Sequence, residues 1–234
     1  MTERLHAIIF DFDGVIADSE PLHLKAFQQV LREDGLQFDS DEYFARYLGY
    51  DDVGVFAALG RDRGLPMDAE RIGTLVARKG ERLQAMLDGG KVLFPGAAEF
   101  IREAAASVPI AISSGALRHE IVAILDAAGL GGLFSAIVAA GDTPESKPSP
   151  APYALAFRRL QEAAGGPLDP SRSVAIEDST WGLESARRAG LRCVGVTTSY
   201  AADQLPGAEL IVEGLGTLTI EALERLCGTN LSMR

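Results

Sequence analysis

The sequence predicts an α/β protein: a doubly wound parallel sheet, with a small all-helical domain inserted after the first strand. Three observations carry this expectation. The run from Leu5 to Phe10 is apolar except for His6, which suits a strand buried on both faces. Between Pro21 and Gly90 no strand pattern stands out, and apolar residues recur at helical spacing. After Pro95-Gly96 short apolar runs alternate with helical patterns, the signature of repeated βα units with right-handed crossovers.

The elements follow in order. Pro21 occupies a first helical position behind Ser19 or Glu20, and Leu22, Ala26, Phe27, Val30 and Leu31 form a stripe that Gly35 closes. Asp39 or Ser40 caps a second helix bearing Tyr43, Phe44, Tyr47 and Leu48. Val53, Phe56, Ala57 and Leu59 mark a third, and Asp68 opens a longer one through Leu75, Val76, Leu83 and Met86. Further helices are expected over residues 97–106, 117–128, 152–164, 180–189 and 218–226. Strands are expected over 108–112, 136–139, 173–176, 193–196 and 210–212. Ala151 is a poor cap, which should weaken the start of the helix that follows it. The tail from Gly228 to Arg234 has little to bury and should fray. The expected division is a core of residues 1–16 and 94–234 and a helical domain of residues 17–93.

Composition narrows the function. The 234 residues are 47% apolar, enough for a buried core. A formal net charge of -11 without a basic tract argues against nucleic acid and anionic membrane surfaces as partners. The two cysteines, Cys193 and Cys227, form no CxxC pattern and read as incidental thiols. With no signal-peptide pattern and no run of membrane-spanning length, the expected location is cytoplasmic. No feature specifies an oligomeric state.

The polar residues fall where chemistry is expected. Asp11/Asp13, Ser113/Ser114, Lys147 and Glu177/Asp178 each lie at or just beyond the C-terminal end of a predicted strand. In a parallel sheet those ends share one edge, so residues far apart in sequence converge. The acids alone repel and resist desolvation. Mg²⁺, a hard cation that prefers oxygen, together with Lys147 would balance them. A metal, an ammonium, a hydroxyl and free loop N–H groups suit a phosphate. Taken singly, each piece has a plainer reading: a turn, a helix cap or a solvated lysine. Their common placement sets them apart.

The set resembles the four motifs of the haloacid dehalogenase-like hydrolase superfamily. Asp11-Phe12-Asp13-Gly14-Val15-Ile16 is similar to the first motif, Ser113 to the second, and Lys147-Pro148-Ser149-Pro150 to the third. Ile176-Glu177-Asp178-Ser179 with Gly182, Ala186 and Ala189-Gly190 is similar to the fourth. The helical insertion resembles the cap of the branch that contains beta-phosphoglucomutase and phosphoglycolate phosphatase. The resemblance implies a Rossmann-like catalytic core, with Asp11 as nucleophile and Asp13 as acid/base. It implies Mg²⁺ on the Asp11 carboxylate, the Asp13 backbone carbonyl and Asp178, with Glu177 behind them. Ser113, Ser114 and Lys147 would hold the phosphoryl oxygens.

Within that branch the reaction class is phosphoryl transfer, since the dehalogenases lack the second acid and the metal. The phosphoglucomutase pattern places Ser19, His23, Gly49 and Lys79 at hinge and substrate positions. It expects an arginine where this chain has Asp52. That departure favours a phosphatase of a small phosphorylated metabolite, a sugar or polyol phosphate. The alternatives are a phosphosugar mutase and, more remotely, a non-catalytic regulator that binds phosphometabolites.

Overall fold

The computed structural model describes residues 5–47, 50–65, 67–87 and 92–228. The chain divides into two compact units: Met1–Asp18 with Val92–Arg234, and Ser19–Lys91.

The first unit is a six-stranded parallel sheet flanked by helices. Its strands are β1 (Ala7–Phe10), β2 (Ile110–Ser113), β3 (Ala136–Val138), β4 (Ser173–Glu177), β5 (Arg192–Val196) and β6 (Leu210–Val212), in the spatial order β3-β2-β1-β4-β5-β6. β1 lies at the centre because it is apolar on both faces: Ile8 pairs with Ile110 of β2 on one side and with Val174 of β4 on the other. All four of its residues are fully buried. The strand order reverses between β1 and β4, so the chain leaves their C-terminal ends in opposite directions and opens a crevice there. Tyr153, Ala156 and Leu160 of one helix pack into the core with Ile9, Ala111 and Ala175 of the sheet.

The second unit is all helical. It comprises α1 (Glu20–Glu33), α2 (Ser40–Arg46), α3 (Asp52–Asp62) and α4 (Ala69–Leu87), with α1 packed along α4. Its centre is aromatic. Phe27 meets Phe56 edge-on at 5.2 Å and Phe38 at 6.2 Å, and Phe38 meets Tyr43 at 5.7 Å. Such pairs add to the burial of large rings.

The helices of the first unit are α5 (Ala97–Ser107), α6 (Arg118–Ala127), α7 (Ala151–Ala164), α8 (Thr180–Arg188) and α9 (Ile220–Gly228). Several ends differ from expectation for local reasons. β2 begins two residues later than expected, because Val108 still closes α5 through its N–H to Ala104 and Pro109 cannot donate to a ladder. α9 begins at Ile220 because Thr219 caps it, its hydroxyl accepting the Ala222 N–H at 3.2 Å. The weak start expected at Ala151 is offset, since Ser149 Oγ accepts the Ala151 N–H at 3.3 Å. Phe44 and Val53 face solvent instead of the helical core, because Tyr43 and Tyr47 take the buried face of α2 and Val55, Phe56 and Leu59 that of α3. Leu48 and residues 229–234 lie outside the described residues.

Phe27 contacts three other rings of the helical unit, so Phe27→Ala should cost about 3–5 kcal/mol of that unit's stability. Hydrogen exchange should show protection falling across α1 to α4 while β1 and β4 keep theirs.

Candidate active site

The site begins where β1 stops. Asp11 extends the ladder by one step, its N–H donating to the Ile176 carbonyl of β4 at 2.9 Å. The chain then turns tightly: the Phe12 carbonyl accepts the N–H groups of Ile16 at 2.8 Å and Ala17 at 2.9 Å, and Gly14 takes φ 77°. Glycine is needed here for contact as well as conformation. A Cβ on Gly14 would lie 2.0 Å from Asp178 Oδ2, so the turn after β1 presses directly on the end of β4.

Around this turn the expected charges converge. Carboxylate oxygens of Asp11, Glu177 and Asp178 lie within 4.8 Å of one another. Lys147 Nζ donates to Asp11 Oδ1 at 2.8 Å and to Glu177 Oε1 at 2.7 Å. Burial pulls the lysine pKa down, but Asp11 and Glu177 outweigh it and hold the ammonium above its ordinary range. Burial raises the Asp11 carboxyl well above the usual carboxylate range; Lys147 opposes this, and Glu177 and Asp178 reinforce it. Burial and Glu177 push Asp178 up to about 6. One ammonium therefore does not satisfy three acids.

Glu177 is fully engaged. Its Oε1 accepts from Lys147 and from the Tyr153 hydroxyl at 2.9 Å, and its Oε2 accepts from the Asp178 N–H, the Ser179 N–H and Ser179 Oγ. Gly182 makes room for it, since a Cβ there would sit 1.8 Å from the Glu177 carboxyl carbon. Asp11 and Asp178 are the members of the cluster left to face a ligand. Asp13 is not among the clustered carboxylates; its backbone joins a bridge to Ala17. Helix capping, the plainer reading of this segment, falls to Ser179, whose Oγ accepts the Gly182 N–H at 3.1 Å. The acids before it have other partners.

At the end of neighbouring β2, Ser113 is fully buried and its Oγ has no hydrogen-bond partner among the described residues. An unsatisfied buried hydroxyl costs free energy unless a ligand completes it. Ser114 lies 6% exposed, its N–H bonded to the Val138 carbonyl and its Oγ accepting the Ala116 N–H at 3.0 Å. Ser114 does not cap α6, whose N-cap is Leu117.

The helical unit holds a second charged cluster. Lys79 is completely buried, its Nζ donating to Asp52 Oδ1 and to His23 Nδ1 at 2.8 Å each and lying 5.0 Å from the centre of the Phe27 ring. Accepting from Lys79 places the His23 proton on Nε2. Burial and the adjacent ammonium lower the His23 pKa to about 3. Lys79 is therefore part of the interior of the helical unit rather than of its surface. Ser19 is also buried, at the start of α1, while Gly49 lies outside the described residues.

Tyr153, Thr198 and Ser199 were not anticipated. Tyr153 reads from the sequence as one more apolar residue of the α7 stripe, and only packing reveals that its hydroxyl reaches Glu177. Ser199 follows β5, and its hydroxyl donates to Asp178 Oδ2. A usable signal existed there, because β5 ends on the same edge as the other strands.

The haloacid dehalogenase-like hydrolase family matches residues 5–190. The chain belongs to that family. The CbbY protein encoded on a plasmid of Cupriavidus necator is 36% identical over 235 residues, covering 91% of this chain and 86% of that protein. The fructose-1-phosphate phosphatase YqaB of Escherichia coli is 30% identical over 196 residues, covering 84% and 98%. Among solved structures, CbbY of Rhodobacter sphaeroides in complex with phosphate superposes with a TM-score of 0.78 at 30% identity, covering 92% of this chain and 96% of that one. A variant of the same protein was solved with xylulose 1,5-bisphosphate. The family is one of hydrolases, and the match runs from before β1 to just past α8.

The lowered pKa of His23 has a consequence for stability. Above the unfolded value of 6.5 the ring is neutral in both states; as pH falls toward 3 the unfolded chain takes up the proton first, and stability is lost. His23→Asn, which keeps an acceptor for Lys79, should therefore lose less stability than wild type between pH 7 and pH 4, by about 3 kcal/mol. Urea denaturation at the two pH values measures the difference.

Proposed function

We propose that the chain is a Mg²⁺-dependent phosphatase of a small phosphorylated sugar or polyol, acting through a phosphoryl group carried transiently on Asp11. The observation that carries this reading is the pairing of Asp11 with Lys147 beside the Glu177/Asp178 pair.

The residues fit the implied cation. Three carboxylates share one ammonium, and burial with mutual repulsion pushes Asp11 and Asp178 toward the protonated form. A hard divalent ion relieves the same strain without protons. Asp11, Asp178 and the Asp13 carbonyl oxygen would hold Mg²⁺, which supplies positive charge against the phosphate during transfer.

The protein side chains then have distinct tasks. Lys147 keeps its ammonium charged beside Asp11, where it steadies the carboxylate and draws an anionic phosphate toward it. Asp11 attacks phosphorus, and the bond to the leaving oxygen breaks as the new one forms. Asp13 gives its proton to the leaving oxygen and then takes one from the water that releases phosphate. Ser113 Oγ, buried and without a partner among the described residues, donates to a phosphoryl oxygen, while the Ser114 N–H is already taken by the Val138 carbonyl. Glu177, its oxygens already taken, orients Lys147 and supports the ends of the site.

Relatives named for sugar phosphates support the substrate class. Substrate choice is assigned to the helical insertion, where the chain departs from the phosphoglucomutase pattern. There Asp52 already matches the Lys79 charge, which leaves little to offer a second phosphate. That pairing favours a phosphatase over a phosphosugar mutase, which must hold the second phosphate of its bisphosphate intermediate in the insertion.

With para-nitrophenyl phosphate and a panel of sugar and polyol phosphates, turnover should require Mg²⁺ and disappear with a chelator. Asp11→Asn should lower kcat by at least about 10³-fold with the fold retained by circular dichroism, and Asp13→Asn by about 10²–10⁴-fold. Turnover retained in Asp11→Asn would remove the nucleophile assignment. Interconversion of glucose 1-phosphate and 6-phosphate, primed by the bisphosphate, would favour the mutase instead.

A further inference from the structure

We infer that Ser199 is a positioning residue for the cation site, holding the Asp178 carboxylate from a loop that Thr198 latches to the turn after β1. The inference rests on the reading of Asp178 as a Mg²⁺ ligand.

Three strand ends meet at this point. The loop after β5 is anchored to β6 by the Thr197 N–H, which donates to the Val212 carbonyl at 3.0 Å. Its next residue, Thr198, donates through Oγ1 to the Gly14 carbonyl of the turn that carries Asp13. Ser199 then donates through Oγ to Asp178 Oδ2. The packing is tight enough to exclude one carbon: a Cβ on Gly14 would lie 2.0 Å from Asp178 Oδ2 and 2.9 Å from Ser199 Oγ. The bare glycine thus lets the hydroxyl reach the carboxylate.

A loop serine most often bonds to nearby backbone. Ser199 instead spans 21 positions of sequence to a carboxylate at the end of another strand. Consecutive hydroxyls divide the work, Thr198 gripping the end of β1 and Ser199 the end of β4. With one oxygen held by a donor, Asp178 cannot rotate freely about its Cβ–Cγ bond. It then meets a cation already ordered, with its negative charge partly offset by the hydroxyl dipole. Partners of this kind behind a metal ligand commonly set affinity by about 10–100-fold.

Calorimetric titration of the full-length chain with Mg²⁺, without substrate, tests this. Ser199→Ala should weaken Mg²⁺ binding by about 10-fold or more, and Ser199→Thr, which restores the hydroxyl, should recover most of it. In turnover the same loss should appear in the Mg²⁺ half-saturation constant, with kcat at saturating Mg²⁺ falling less. Equal Mg²⁺ affinity in wild type and Ser199→Ala overturns the inference. A wild-type chain that takes up no Mg²⁺ overturns the reading of the site itself and this inference with it.

Discussion

The ion pairs of Lys147 with Asp11 and Glu177 are what let the ends of β1 and β4 lie side by side. Both strands are buried throughout; β4 ends on Glu177, and Asp11 follows directly after β1. Brought together without a cation, those acids would push the strands apart or keep their protons. Lys147 arrives from the loop between β3 and α7 and touches an acid from each strand, so one ammonium ties together the two halves of the sheet. Breaking such a buried pair leaves an uncompensated charge, a loss of about 3–5 kcal/mol. The remaining imbalance, two acids with raised pKa values, is the feature that makes the site receptive to a second cation.

The helical unit answers the same problem differently. Lys79 is more deeply buried than Lys147, yet it meets a carboxylate, a neutral imidazole and an aromatic face. The charge there is balanced. One unit keeps an unsatisfied site and the other a satisfied one, as the proposed division between chemistry in the sheet and selection in the insertion requires.

Much of this was legible in the sequence because period and position carry it. The apolar run before Asp11 marks a central strand, and βα alternation places every following strand end on one edge. Asp11, Lys147, Glu177 and Asp178 therefore converge as the pattern implies. Residues whose role depends on packing were hidden. Tyr153 looks like core until its hydroxyl is seen on Glu177, and Lys79 looks like helix surface until α4 is packed against α1. In the sequence Asp52 shows only as a departure from an expected arginine; its partner, 27 positions away, shows that its charge is already used. Ser199 lies just beyond β5, so its place at the same sheet edge is legible from the strand pattern alone.

The account stands on Asp11 becoming phosphorylated. Its most direct test is to mix the Mg²⁺-loaded protein with a turned-over sugar phosphate, quench during turnover and reduce any acyl phosphate with borohydride. Mass spectrometry of the resulting peptides should find homoserine at position 11 and aspartate unchanged at position 13. Reduction at another residue, or none while phosphate is being released, would contradict it.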